Sequence, residues 1–389
     1  MKFSAVVRDA HDLQQLVSAG VSEVILSWSP LSRWPTHESL PAMIELCNSA
    51  RTANLRVVLL WDILMTERQF THLLPTLEQF PWHLFDAVRC QDYGVLQFVR
   101  KKLPSMPIHW IAEVAHQNIS ALQTLEKELG LQLERICLNL ETPVASIENY
   151  ASILQTPLEL LAVGPLLLFY TPRTLLSKAL SDERDNIECL GNSEETPHRD
   201  FLLRQNAHGT FMYHPKDFFI LDKIEDAKNA KLQWLRLDGR GLKDTPWPEQ
   251  LNTVIQLQNN LAGEGLKLHY PRPVMRGYFH QNRSDKLFIH LKNDRLQTRH
   301  ENMLGNIIDV IKKQSMTLLI DRQGVGLSIG DRLELTTPDG KNKTLTVSKM
   351  KNALGESIDR ASTGECVVLE HVGGICVKTQ VKRINALLQ

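Results

Sequence analysis

Polar residues able to do chemistry stand immediately beyond most of the short apolar runs in the first two thirds of this chain. Asp62 follows the run 56–61, Gln91 and Asp92 follow 87–90, and Glu113 comes just after 108–111. Glu141 follows 135–139, and Asp238-Gly239-Arg240 follows 234–237. Carboxylates placed like Glu141 and Asp92 can bind substrate hydroxyls or serve as general acid and base. The competing reading is that such a residue caps the helix that follows it. Arg173 and Arg240 could take a carboxylate or phosphate through paired N–H donors. Their competing reading is a structural ion pair with Glu141, Asp217 or Asp238.

The thiols are sparse. Six cysteines (Cys47, Cys90, Cys137, Cys189, Cys366, Cys376) are scattered without a close pair, and the first three lie in apolar or helical settings. They read as reduced cysteines rather than a disulfide framework. Cys189, His198, His208 and His214 fall in one segment and would suit zinc by donor type, but their spacing matches no zinc motif. There is no His-Glu-x-x-His helix, no Gly-x-Ser-x-Gly elbow and no cysteine with an obvious histidine base, so a peptidase reading has no motif behind it.

The elements that must position these residues alternate. Strand-like runs at 3–7, 23–27, 56–61, 87–90, 108–111, 135–139, 159–163 and 234–237 are separated by helical stretches such as 9–19, 40–53, 67–79, 93–102 and 118–129. Eight strand-helix repeats argue for parallel strands closed as a TIM-like β/α barrel, an α/β fold whose active sites gather at the carboxyl ends of the strands. An open doubly wound sheet fits less well, because Val7-Arg8-Asp9-Ala10 stands where a glycine-rich phosphate loop would be. After about residue 300 the period changes to two. Runs at 317–320, 331–336, 343–348, 365–369 and 374–377, with a hairpin turn at Asp339-Gly340, predict a small antiparallel β-barrel. The expected layout is a barrel over 1–262, a linker over 263–300 and the small β-barrel over 301–389.

At 389 residues the chain is long enough for one large and one smaller domain. Lysine plus arginine (44) equals aspartate plus glutamate (44), which excludes an overall basic field. A local basic cluster, Arg283, Lys286, Lys292, Arg295 and Arg299, could still meet RNA phosphates, although such runs are usually solvated faces. No apolar run approaches the ~20 residues that span a bilayer, and the polar amino terminus is wrong for a secretory signal, so a cytoplasmic protein with no membrane partner is expected.

Several motifs carry a resemblance. Gln91-Asp92-Tyr93-Gly94-Val95-Leu96, Met106-Pro107-Ile108-His109, Asn118, the stretch 135–141 ending in Glu141, His208-Gly209-Thr210-Phe211, Lys216-Asp217 and 235–240 ending in Asp238-Gly239-Arg240 follow one another along the chain. Between them, Gly164, Leu166, Tyr170, Arg173, Leu175, Leu176, Ser177 and Cys189 match a further pattern, and Arg276-Gly277-Tyr278 another. Together these resemble the collagenase-like peptidase family, U32, whose members include oxygen-independent hydroxylases of RNA and ubiquinone. In the tail, residues 327–335 followed by Thr337-Pro338-Asp339-Gly340 and Asn352-Ala353 resemble the tRNA-hydroxylating branch.

The resemblance implies a site built from Glu141, Asp92 and Arg173, with Gln91, His109, Asn118, Tyr170, Lys216, Asp217, Asp238 and Arg240 binding substrate. It implies prephenate as oxygen donor and an iron-sulfur cluster on four cysteines. Here Leu167, Thr174 and Ser193 occupy three of those four positions, and Cys189 alone remains as a candidate metal ligand. Asp185 replaces an asparagine, Leu140 an arginine, and Ala112-Glu113 a Thr-Gln pair. The expectation is therefore a relative of the RNA hydroxylases with a degenerate cluster site and no resident cofactor. Its expected partners are tRNA or rRNA and, as an alternative, a cluster-bearing paralogue that it would serve as a non-catalytic partner.

Overall fold

The structure, a computed structural model, describes residues 1–113, 118–180, 184, 186–192, 200–280, 303–321 and 326–384. It divides into two compact units, Met1–Lys286 and Leu287–Gln389.

In chain order the strands of the first unit are β1 (Lys2–Val6), β2 (Glu23–Ser27), β3 (Arg56–Trp61), β4 (Ala87–Cys90), β5 (Ile108–Ile111), β6 (Leu133–Cys137), β7 (Leu158–Gly164), β8 (Leu167–Thr171), β9 (Ile187–Gly191), β10 (Phe201–Asn206), β11 (Gly209–Tyr213), β12 (Asp217–Phe219), β13 (Trp234–Asp238) and β14 (Val274–Met275). Strands β1 to β7 pair in sequence order, all parallel, and β13 closes the ring by pairing in parallel with both β1 and β7. This is the closed eight-stranded β/α barrel. Strands buried on both faces explain why the sequence runs were almost continuously apolar rather than alternating.

Local chemistry sets the helix starts. Asp9, Thr66, Asp92, Asn118 and Asn259 each cap a helix by accepting a backbone N–H from its first turn. Gly20 ends the first helix at φ 83°, a left-handed conformation that favours glycine.

The two faces of the strands have different contents. Outward side chains such as Phe3, Ala5, Leu59, Trp61 and Trp110 join one large apolar core with the surrounding helices. Inside the barrel, Val6, Ile25, Val58, Leu60, Ala87, Ile111 and Cys137 form an apolar layer. The interior also holds a buried ionic cluster. Glu159 receives hydrogen bonds from Arg89 at 2.6 Å, Arg135 at 2.9 Å and Ser4 at 3.3 Å, while Glu23 pairs with Arg135. The Arg135 guanidinium lies 3.4 Å from the centre of the Trp234 ring.

One element escaped the sequence reading. Between β7 and β13 the chain inserts a four-stranded antiparallel sheet in the order β8-β11-β10-β9. Only the apolar stretch at 166–170 hinted at it. The described part of the segment expected as linker, 263–280, contains most of a helix (Asn260–His269) and β14, which extends the barrel sheet beside β12.

The second unit is antiparallel. Its strands are β15 (Met303–Ile311), β16 (Ser315–Ile320), β17 (Leu327–Ser328), β18 (Arg332–Thr336), β19 (Asn342–Thr346), β20 (Arg360–Ala361), β21 (Cys366–Glu370) and β22 (Gln380–Arg383). Six of them form a half-barrel sheet in the order β19-β18-β22-β15-β16-β21, and β17 pairs with β20. Leu304, Met316, Leu318, Leu333, Leu335, Val367 and Val381 supply its core. The run expected at 374–377 is not a strand, and the pairing falls instead to β22, which lies between β15 and β18.

Candidate functional site

The carboxyl ends of the barrel strands converge on a mouth crowded with charge. The centre is Arg33, in the loop after β2. Its guanidinium grips both oxygens of Glu113, at 2.5 and 3.1 Å, and its Nε lies 3.3 Å from Asp62. The Arg33 backbone N–H also donates to Asp62, at 3.0 Å. On the other side Arg240 donates from Nε and Nη2 to Asp238, at 2.9 and 2.7 Å, and from Nη1 to the Trp34 carbonyl at 2.7 Å. Gln91 donates to the Asp62 carbonyl at 2.6 Å, and its side-chain oxygen is buried without a hydrogen-bond partner among the described residues.

These pairs govern ionisation. Burial by itself would raise the carboxyl of Glu113, but the charge and hydrogen bonds of Arg33 outweigh it and hold Glu113 below its ordinary range. Asp238 behaves likewise: burial opposes ionisation and Arg240 overrides it. Both acids stay ionised at neutral pH.

The inserted sheet supplies aromatic walls. Trp34 packs with Leu202, Phe211 and Tyr213, edge-on to Tyr213 at 4.8 Å, and the Arg204 guanidinium lies 4.5 Å from the Trp34 ring. Burial pushes the Tyr213 hydroxyl up to about 12, and that hydroxyl has no hydrogen-bond partner among the described residues. At the rim, Glu113, Asn139, Glu141, Leu166, Tyr170 and Tyr278 are among the residues lining a cleft of about 330 Å³. Asn139 is held in place, donating to the Glu113 carbonyl and accepting from the Glu141 N–H, both at 2.7 Å. A cleft with aromatic and aliphatic walls and a few fixed polar groups suits a small planar ligand.

The residues expected at the site separate into two groups. Gln91, Asp238 and Arg240 meet at the mouth, and Glu141 and Tyr170 meet at the cleft, where Tyr170 stacks on Phe211 with centroids 5.0 Å apart. The others are exposed or engaged in other contacts, and Asp92, beside Gln91, is the one of them that lines a cavity with a mouth residue. His109 is fully buried in the barrel interior, 3.6 Å from Glu134, and burial lowers its pKa so that it stays neutral. Asn118 is a helix cap. Asp217 is buried against Tyr270 and Arg272, at 2.8 and 3.1 Å, while Lys216 and Arg173 are exposed. Asp92 is also a cap, since one oxygen accepts from Gly94 and Val95 and the other from Met65. Asp92→Ala should therefore cost about 1–2 kcal/mol in urea unfolding. Asp92→Asn, which can still cap, should keep both stability and activity; an inactive but stable Asn variant would restore a chemical role.

Sequence reading missed Arg33, Trp34, Arg204 and Tyr213. The signal available was the long β2 loop, where Ser32-Arg33-Trp34-Pro35 interrupts an otherwise regular alternation.

The residues present do not fit an iron-sulfur cluster. Such a cluster takes four thiolates, and Leu167 and Thr174 offer none, while Ser193 lies outside the described residues. Cross-strand partners share a face of a sheet, and register places Cys189 in a row with Leu203, Met212 and Phe169. Leu167 belongs with Tyr213 and Leu202 on the opposite face. Among the described residues no three His, Cys, Asp or Glu side chains group to hold a metal. His208 is tied to the Ser29 carbonyl at 3.0 Å and His214 to the Lys216 backbone. His198, Asp185 and the basic cluster at 283–299 lie outside the described residues.

Fold and site together define a β/α-barrel protein with an ion-paired mouth, an aromatic cleft and an inserted sheet. The chain belongs to peptidase family U32, whose model matches residues 8–286. It is 21% identical over 354 residues to the tRNA hydroxylation protein P of Escherichia coli K12, covering 74% of this chain and 73% of that protein. Among solved structures, the U32 peptidase Mk0906 aligns with a TM-score of 0.39 at 12% identity, over 61% of this chain and 92% of that one. The C-terminal domain of a Geobacillus thermoleovorans putative U32 peptidase aligns with a TM-score of 0.21 at 17% identity, over 23% of this chain and 99% of that domain. No helix among the described residues is long and apolar enough to cross a membrane.

Proposed function

We propose that this protein takes part in oxygen-independent hydroxylation of a base in tRNA or another structured RNA, in the cytoplasm, with prephenate as oxygen donor. The observation that carries this reading is the pairing of the ion-paired mouth with the cleft bounded by Tyr170, Tyr278, Asn139 and Glu141. Aromatic faces accept an unstacked base, and fixed amide and carboxylate groups read its edge. The similarity to a tRNA hydroxylation protein supports RNA as the substrate class.

Because the donors for a cluster are missing, the redox step falls to a partner, a paralogue that carries the cluster. Exposed Leu168, Phe169, Leu175, Leu180 and Leu190 on the inserted segment are apolar side chains for such a partner to cover. A peptidase reading gains nothing here. Burial pushes the thiols of Cys47 and Cys137 up to about 12, far from the thiolate a nucleophile needs.

The test is mass spectrometry of tRNA and rRNA nucleosides from cells with and without the gene, alongside iron and acid-labile sulfide analysis of protein purified without oxygen. Loss of a hydroxylated nucleoside, with iron and sulfide far below one cluster per chain, is expected. Unchanged nucleosides would sink the RNA reading, and stoichiometric iron and sulfide would sink the partner.

A further inference from the structure

A second cleft, of about 400 Å³, opens at the rim of the barrel. Gln91, Asp92 and Tyr93 after β4, Trp110 and Ile111 of β5, and Met65 are among the residues lining it. It and the cleft of Tyr170 and Tyr278 flank the end of β5, since Ile111 lines one and Glu113, two residues on, lines the other. Tyr170, on the wall of the first cleft, is near enough to Asp92 to feel its charge. The wall of the second cleft combines an aromatic surface with a buried acceptor. Tyr93 is 53% exposed and its ring centre stands 5.1 Å from that of Trp110, so an open aromatic surface lies beside a buried indole. Gln91 is 8% exposed, and its Nε2 is committed to the Asp62 carbonyl. Its Oε1 has no hydrogen-bond partner among the described residues. Asp92 is the one charged residue among those described in the lining, and both its oxygens already accept backbone N–H groups.

We propose that this second cleft holds the nucleotide adjacent to the one in the Tyr170 and Tyr278 cleft, with its base stacked on Tyr93 and its pairing edge donating an N–H to Gln91. A buried acceptor without a donor is costly, and a base supplies that donor. Each of the four bases has a flat face to stack and an N–H on its pairing edge, so the subsite accepts a neighbour without selecting its identity. An organic acid fits less well. Asp92 brings a negative charge to the wall, and no described lining residue brings a positive one. Neighbouring strands lie about 4.8 Å apart, so clefts on either side of one strand end are within reach of two consecutive splayed bases. That the ligand is RNA rests on the proposed function; the pairing of an aromatic surface with a buried acceptor does not.

Isothermal titration of the full chain with adenosine, cytidine and uridine, with the dinucleotides ApA, CpC and UpU, and with prephenate tests the subsite. The proteins are the wild type, Tyr93→Ala, Tyr93→Leu and Tyr93→Phe, with thermal melts to establish that each is folded. In the wild type at least one dinucleotide should bind about 10-fold tighter than its nucleoside, the equivalent of about 1.4 kcal/mol. Tyr93→Ala should abolish that gain and leave nucleoside binding unchanged, whereas Tyr93→Phe, which keeps the ring, should retain it. If Tyr93→Ala fails to fold, Tyr93→Leu, which has no ring to stack, carries the comparison. No dinucleotide binding, no gain over the nucleoside, or a gain that survives loss of the ring would each overturn the assignment. Prephenate binding that depends on Tyr93 would overturn it as well, by giving the cleft to an organic acid. A gain that depends on Tyr93, in a protein whose deletion leaves RNA nucleosides unchanged, would keep the subsite and discard the hydroxylation reading. A hydroxylated nucleoside lost on deletion, with no dinucleotide gain, would keep that reading and discard the subsite.

Discussion

Replacing Glu159 with alanine is expected to lower the unfolding free energy of the first unit by about 3–5 kcal/mol. The reason is the company Glu159 keeps. It is 1% exposed and neutralises Arg89 and Arg135, both almost wholly buried, through hydrogen bonds of 2.6 and 2.9 Å. Among the described residues the two guanidinium groups would then share only Glu23, and Arg89, whose Nε and Nη1 have no hydrogen-bond partner there, would lose its one short bond. All seven tryptophans lie before residue 248, so tryptophan fluorescence in urea reports this unit selectively. A loss below about 1 kcal/mol would mean that the cluster does not hold the barrel interior together.

The same residue predicts an acid limb. Burial would raise the Glu159 carboxyl, but Arg89, Arg135 and Arg236 together lower it far below its ordinary value of 4.5. Its contribution is therefore complete above about pH 4.5 and disappears as the pH falls through the folded-state value. Glu159→Gln should remove that part of the acid sensitivity, and an unchanged acid transition in the variant would count against it.

The second large effect concerns function. Arg33→Met is expected to reduce the hydroxylated nucleoside about 100-fold in complemented deletion cells, because Arg33 positions Glu113 and Asp62 and a displacement of about 1 Å at a site is enough for such a loss. Arg33 also compensates the buried Asp62 and the partly buried Glu113, so the variant should lose stability as well, and thermal melts establish that it is folded at the temperature of the assay. A separate readout distinguishes positioning from general damage. Without Arg33, burial acts on Glu113 unopposed by its main counter-charge, so its pKa rises and the acidic limb of the activity profile moves to higher pH. Full activity in the variant, or a loss with no shift of that limb, would refute the role.

How much of this was legible beforehand depends on the range of the signal. The barrel was legible, because strands buried on both faces and amphipathic helices write their periods into consecutive residues. The helix Tyr93–Lys102 and the strands β2 to β5 fall where the pattern placed them. The inserted sheet was not, because its strands mix Leu202, Arg204 and Gln205 on half-covered faces and show no clean alternation. In the second unit, Met303–Ile311 has an irregular burial pattern and a register shift, which hid the longest strand of that sheet.

By itself, the sequence determined the barrel, the family, the positions at the strand ends and the shortage of thiols. Each of these is a property of local order or residue type. Tertiary structure alone decided which of the strand-end acids are caps and which are paired. Asp92 and Glu113 both follow a barrel strand, yet the first is spent on backbone N–H groups of its own helix and of Met65, and the second is held by Arg33, 80 residues away. It also decided that Glu159 meets Arg89 across 70 residues and lies 3.7 Å from Arg236. Ion pairing depends on which side chains the closed barrel brings within about 4 Å, and no periodicity along the chain carries that distance.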